Sequence, residues 1–287
     1  MTSPRSPQLQ ASYRYCCETT RAQARNFYYG FMALPKEKRE SLCAIYAFMR
    51  YCDDLVDDEQ GDTPKHVLLE SWRATLDRAA AGDVASSPIL PAFADAVRKH
   101  EVPLTYFHEL ITGAEMDLQA TRYATFQDLY RYCYHVASVV GLVCIHVFGF
   151  RDPEARRLAE WQGIAFQLTN ILRDLAEDAG MGRVYLPQED LARFGYHEED
   201  LVGRVRDERF RELMTFEVDR AEQFYAKSAP LVGLVDRDSR ACLRAMVGIY
   251  HGLLERIRRS EYDVYSHRAK LPAAAKLGIL ARSLMPW

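Results

Sequence analysis

The chain has 287 residues, 48% of them hydrophobic, ample for a sizeable buried core in a single domain spanning 1–287. A net charge of −3 and an isoelectric point near 6.3 exclude a basic field for nucleic acid, so an anionic ligand needs local arginines or bound cations. Seven cysteines (16, 17, 43, 52, 133, 144, 242), odd in number and without a Cys-x-x-Cys pair, predict reduced, mostly buried thiols of a cytoplasmic protein, not a disulfide framework or zinc site.

The opening "MTSPRSPQLQ" has no apolar signal-peptide core and is expected to be a flexible N-terminus over residues 1–10. From there helical periodicity dominates. Pro35 precedes a helix starting near Lys36, "AAAGDVASSP" (79–88) reads as a loop, and Pro103 opens another helix. "VASVVGLVCIHVFGF" (136–150) is the best strand candidate, but it lacks a hairpin partner and suits a buried helix equally well. It is too short to span a membrane. "EARRLAEWQGIAFQLTNILRDLAED" is a long helix stopped by the glycines of "AGMG" (179–182), and "KLGILARSLMPW" reads as a packed rather than membrane-leaning helix. Eight to ten helices and an all-α fold follow; peripheral membrane contact is left open.

Two segments carry chemistry. "FMRYCDDLVDDEQ" (48–60) holds four aspartates in six positions. Asp53 and Asp57 share one face of a helix at i,i+4, with Asp54 and Asp58 on the next. Such like-charge pairs cost roughly 0.2–0.5 kcal/mol each on an exposed helix, and the negative end of the helix dipole adds to the cost. Alone this fits a solvated helix end. The second segment, "FQLTNILRDLAEDAGMGRVYLP", repeats the theme: Asn170, Asp174 and Asp178 fall at i, i+4 and i+8, drifting only about 40° per step, among apolar residues that do not suit a solvated helix. Two such stripes can face each other across a bundle and share cations. Hard oxygen donors without His or Cys imply Mg²⁺, or Mn²⁺, completing its shell with substrate phosphate. Arg50 and Arg173 beside the stripes read either as intrahelical salt bridges or as a phosphate clamp.

These segments, together with "ARNFYYGFMALPKEKRESLCAIYAF", "YCYHVASVVG" and "YDVYSHRAKL", make most of the chain resemble the squalene/phytoene synthase family of head-to-head prenyl transferases. The resemblance implies an isoprenoid-synthase helical bundle around a central cavity. It implies that Asp53, Asp57, Asn170, Asp174 and Asp178 bind Mg²⁺ and, through it, diphosphate. Tyr46, Arg50, Gln167, Arg173 and Tyr250 match family positions near the diphosphates, and Tyr132 matches a tyrosine proposed to assist proton removal. Ala137 and Gly141 fall where small residues leave room for the growing chain; Arg25 and Asn26 match a polar stretch of one substrate site. The chain departs from the family pattern in two motifs: His135 and Ser138 alter the middle one, and a C-terminal arginine pair is reduced to His267-Arg268, leaving Arg268 as the certain cation.

The implied reaction joins two allylic prenyl diphosphates through a cyclopropyl diphosphate, with water kept out by an apolar cavity. The motif text leans to two farnesyl diphosphates giving presqualene diphosphate or squalene, the latter requiring NADPH. Phytoene from geranylgeranyl diphosphate is the alternative, and downstream isoprenoid enzymes would be the functional partners. A class I terpene cyclase or chain-elongating prenyl transferase shares the carboxylate logic but not the middle motif. A catalytically silent family member acting as an assembly or binding partner would have no need of paired acidic stripes.

Overall fold

A computed structural model describes residues 5–57, 63–119 and 121–285, apart from the side chains of residues 25, 26, 56 and 57. Every regular element among them is a helix; the other pairings are isolated bridges, Arg122 with Val184 and Phe150 with Val235. Helix α1 (Pro7–Gln23) begins at a proline, whose missing N–H costs nothing in a first turn, and the Ser6 hydroxyl accepts from the Leu9 amide. Residues 7–10, expected to be flexible, are therefore helical.

Helices α2 (Arg25–Phe31), α3 (Lys36–Asp57), α4 (Lys65–Ala80), α5 (Leu90–Lys99) and α6 (Leu104–Gln119) follow. The buried Phe48 of α3 stacks on Trp72 of α4 at 4.8 Å and on Phe93 of α5 at 4.0 Å, with Phe107 of α6 edge-on at 5.6 Å. Aromatic pairs of this kind add about 0.5–1.5 kcal/mol each beyond their area burial. They fix the rotation of α3, and so the direction in which Asp53 points, against three neighbours.

Helix α7 (Phe126–Cys133), a π-helical turn (Tyr134–Ser138) and α8 (Val139–Phe148) form one 23-residue run. It starts from a reciprocal cap in which Thr125 Oγ1 accepts from the Asp128 amide and the Asp128 carboxylate accepts from the Thr125 amide, each at 3.2 Å. The β-branched tract 136–150 is thus helical as far as Phe148, because a helix satisfies its own backbone polar groups. The full run, unlike the tract alone, is long and apolar enough to cross a membrane by length and composition; 56% of that apolar stretch is buried inside the protein.

The longest helix, α9 (Glu154–Gly180), packs against the π turn, α8, α12 (Glu208–Ser228) and α14 (Arg240–Arg259). Its close approach to the π turn requires Gly163: a Cβ there would lie 2.4 Å from Ser138 Cα and 2.6 Å from Ser138 N. Ser138 contributes a hydroxyl that donates to the Glu160 carbonyl at 2.8 Å, across the same contact. Short helices α10 (Gln188–Arg193), α11 (Glu198–Val202) and α13 (Leu231–Leu234) bridge the long ones, and α15 (Ala273–Ser283) packs on α14 and α2. In a buried ion cluster, Arg220 of α12 lies 2.7 Å from Asp190 and 2.8 Å from Glu217, with its guanidinium 4.1 Å over the Phe126 ring. Burial pushes the Glu217 carboxyl well up in spite of Arg220. All seven cysteines are free thiols, and six are buried.

Candidate active site

Helices α2, α3, α6, α8, α9 and α14, with the π turn, enclose a cavity of about 390 Å³, within the range of small-molecule sites. One part is wholly apolar, walled by Ile145 and Phe148 of α8, Leu231 of α13, and Leu243 and Met246 of α14. The polar part lies where α3 ends and where α9 carries Gln167 and Asn170. Tyr46, Arg50, Asp53, Tyr132, Gln167, Asn170 and Tyr250 all line it, as do Ala137 and Gly141. The two stripes, more than a hundred residues apart in the chain, therefore reach one cavity through Asp53 and Asn170. Arg25 and Asn26, before the lining residue Phe27, and Asp57, at the last position of α3, have side chains outside the described residues; Asp58 lies outside them altogether.

The second stripe does not stay on one face. Asp174 turns into an adjacent groove with Arg173 and Arg268, where Arg173 Nε donates at 2.8 Å and Arg268 Nε at 2.6 Å to its Oδ1. Burial alone would raise the Asp174 carboxyl, but the two guanidinium groups hold it below its ordinary range. Asp178, half-buried and one turn on, is pushed up to about 7, by burial first and then by Asp174 and Glu177. Asn170 and Asp174 differ by one step of about 40°, and Arg268, from ninety-four residues away, holds the Asp174 carboxylate on the arginine side. Arg50 both lines the cavity and pairs with Asp54 one turn along α3.

Tyr132, on the cavity wall, is bonded to an acid. Its hydroxyl donates to Asp117 Oδ1 at 2.8 Å, which also accepts from Tyr185 at 3.3 Å. Burial, then the Asp117 charge, lift the Tyr132 hydroxyl well above its usual value. A phenol in that state keeps its proton at neutral pH and orients as a donor. Asp117 of α6 and Arg183, which follows α9, both line the cavity and were missed in the sequence. The signal for Arg183 was its place in "GMGRVYLP", just after the second stripe; Asp117, alone in "GAEMDLQ", offered none.

Gly141 lines the cavity but also lets two helices touch: a Cβ there would sit 2.9 Å from the Ala159 carbonyl oxygen. Ala137 lines the cavity too, and its carbonyl carbon would lie 2.8 Å from a Cβ on Gly163.

A divalent cation fits the donors present. Asn170 Oδ1 is buried without a hydrogen-bond partner, although its Nδ2 donates to Gln167 Oε1 at 3.3 Å. A buried orphan acceptor costs about 1–3 kcal/mol, and a cation held with Asp53 would satisfy it. By contrast, the described residues that bring three His or carboxylate ligand atoms within 4.8 Å of one another are Glu222, His251 and Glu255, outside this cavity, with both carboxylates already paired with Arg258.

A family model described as squalene/phytoene synthase matches residues 20–275. The chain belongs to the squalene/phytoene synthase family. It is 37% identical to the 15-cis-phytoene synthase of Synechococcus elongatus over 94% of this chain and 91% of that protein. It is 40% identical to the phytoene synthase of Mycobacterium tuberculosis over 96% and 92%. Among solved structures it resembles a dehydrosqualene synthase with bound ligand (TM-score 0.89, 30% identity, 96% of each chain). It also resembles squalene synthase HpnC of Alicyclobacillus acidocaldarius (TM-score 0.84, 29% identity, 90% and 97%). The all-helical fold is that of the isoprenoid synthases, and the family comprises head-to-head prenyl transferases acting on prenyl diphosphates. A polar end carrying acids, amides and arginines above an apolar chamber suits a diphosphate with a long hydrocarbon tail.

Proposed function

We propose that this chain joins two geranylgeranyl diphosphates head to head, through a cyclopropyl diphosphate, to give phytoene. The reaction class rests on one observation: Asp53 and Asn170, from distant helices, line the same otherwise apolar cavity. The choice of chain length rests on relatives named phytoene synthase at 37–40% identity over nearly the whole chain, against 29–30% for the solved squalene-type enzymes. The leaning of the middle motif towards farnesyl diphosphate gives way to that contrast, and with it the need for NADPH.

In this reading Asp53, Asp57, Asn170, Asp174 and Asp178 hold Mg²⁺, with Mn²⁺ as a substitute; when bound it supplies charge neutralisation of the leaving diphosphate. Arg50 and Tyr250 orient the diphosphates from the cavity, and Arg173 and Arg268 from the adjacent groove, with charge-assisted bonds. Arg25 and Asn26 extend that polar rim. The chamber walled by Ile145, Phe148 and Met246 excludes water from the allylic cation. Ala137 and Gly141 leave width for the tail. Tyr132, locked onto Asp117, holds its part of the wall in place, and the departing diphosphate accepts the proton lost when the ring closes.

The test is incubation with Mg²⁺ and either geranylgeranyl or farnesyl diphosphate, with and without NADPH, followed by mass spectrometry of the lipid extract. A C40 hydrocarbon independent of NADPH is expected. Product from farnesyl diphosphate alone would overturn the chain length. No diphosphate release from either substrate would overturn catalysis and leave a silent family member.

A further inference from the structure

We infer that α15 and the groove beside it form a docking surface for an anionic lipid bilayer. Helix α15 buries Leu280 and Ser283 against the body of the protein. Beside that buried face Ala274, Leu277 and Ala281 are exposed, with Leu284 at the C-cap and Met285 just past the helix exposed as well. Leu277 is 49% exposed, Leu284 58% and Met285 57%, so three large apolar side chains stand in water on α15 and at its C-terminal end. That is the arrangement of a helix lying in an interface plane.

Charge selects the occupant. Residues 264–287 contain four Lys or Arg and no Asp or Glu, in a chain of net charge −3; the remainder therefore carries −7. Between α12, α14 and α15 runs a groove of about 930 Å³, with Val232, Val247, Leu271 and Ile279 among its apolar walls. Four arginines, 244, 256, 259 and 282, line it as well. Arg244 is occupied by the Ser283 carbonyl, at 2.7 Å, and Arg259 lies 3.7 Å from Glu255, which also lines the groove, while Arg256 and Arg282 are exposed. The acids on this side are already matched: Glu255 lies 2.7 Å from Arg258, and Glu222 lies 3.4 Å from Arg258 and 2.9 Å from His251. An apolar stripe beside a cationic groove is complementary to acyl chains beneath anionic headgroups. A second protein copy would have to present a matching acidic and apolar face.

The position is useful to an enzyme with a greasy substrate. Helix α15 packs on α2, and Phe27 of α2 lines the cavity. Docking would bring that wall of the chamber close to the lipid from which prenyl chains partition.

Flotation with vesicles of phosphatidylcholine alone, or mixed with phosphatidylglycerol, tests this without reference to which product the enzyme makes. The full chain is expected to float with the anionic vesicles, to release as salt rises, and to ignore the neutral ones. Leu277→Glu with Leu284→Glu should weaken binding by roughly tenfold or more, from the lost apolar contact. Arg256→Glu with Arg282→Glu should weaken it at least as much, at about fivefold per basic residue lost. Both variants change exposed side chains, so their thermal melts and turnover of detergent-dispersed substrate should match wild type. Failure of the wild-type chain to float with anionic vesicles overturns the proposal, as does undiminished flotation of either folded variant. A salt-resistant dimer that the leucine variant splits, with vesicle binding intact, would assign the stripe to a second copy instead.

Discussion

Gly163→Ala is the most exacting test of how α9 is held. The added methyl would meet Ser138 Cα at 2.4 Å, Ser138 N at 2.6 Å and the Ala137 carbonyl carbon at 2.8 Å, all backbone atoms that cannot rotate aside. Reaching ordinary contact requires α9 and the π turn to part by about 1 Å, an overpacking cost of roughly 1–3 kcal/mol, here at the upper end. Alanine returns up to about 1 kcal/mol of helix propensity. The net expectation is a loss of about 2 kcal/mol, or a melting temperature lower by roughly 5 °C. Gly180→Ala in the same helix meets nothing within 4 Å, and should be neutral or stabilising by up to about 1 kcal/mol. Paired thermal and urea unfolding measures both. Because Gly163 and Ala137 line the cavity, turnover by the Gly163 variant should fall further than its stability does. A Gly163 variant as stable as wild type would refute the claim that backbone contact sets this helix spacing.

Asp53→Asn should cut diphosphate release by about 10²–10⁴-fold while the helical circular dichroism signal stays unchanged; wild-type turnover would remove Asp53 from the cation site. Tyr132→Phe leaves Asp117 bonded to Tyr185 and should cost about 1 kcal/mol of stability and less than tenfold in rate. The shape of its pH–rate profile should be preserved, and loss of a titrating limb in the variant would show that Tyr132 does act as a base. His100, whose Nε2 lies 3.0 Å from Ser41 Oγ, is pushed down to about 4, by burial first and then by Lys99 and Lys38. Below about pH 6.5 the unfolded chain takes up a proton that the folded chain refuses, so stability falls from there to pH 4. After allowance for solvent screening at this half-buried ring the loss at pH 5 is about 1 kcal/mol. His100→Gln should flatten that slope in urea titrations at pH 7 and pH 5, and an unchanged slope would count against it.

The fold class and the meeting of the stripes were legible because helix periodicity is local: a fixed angular step tells which side chains share a face. What lay outside that rule was missed for physical reasons. The π turn at 134–138 adds a residue that no hydrophobic pattern announces. Asp117 and Arg183 are single polar residues whose role exists only once α6 and the turn after α9 converge. The turn of Asp174 towards Arg173 and Arg268 reflects helix drift together with a tertiary partner ninety-four residues away. Gly141 was legible as a small residue but not as a helix contact, since the same glycine pattern serves both. Ser138, a departure from the family motif, is explained by the Glu160 carbonyl that its hydroxyl reaches.

The wide turn between Tyr132 and Val139 lets one helical run serve two neighbours. One surplus residue rotates everything downstream by about 100° relative to an uninterrupted helix. Tyr132 thereby reaches Asp117 while Val140, Gly141, Cys144 and Ile145, on the far side of the turn, line the same cavity.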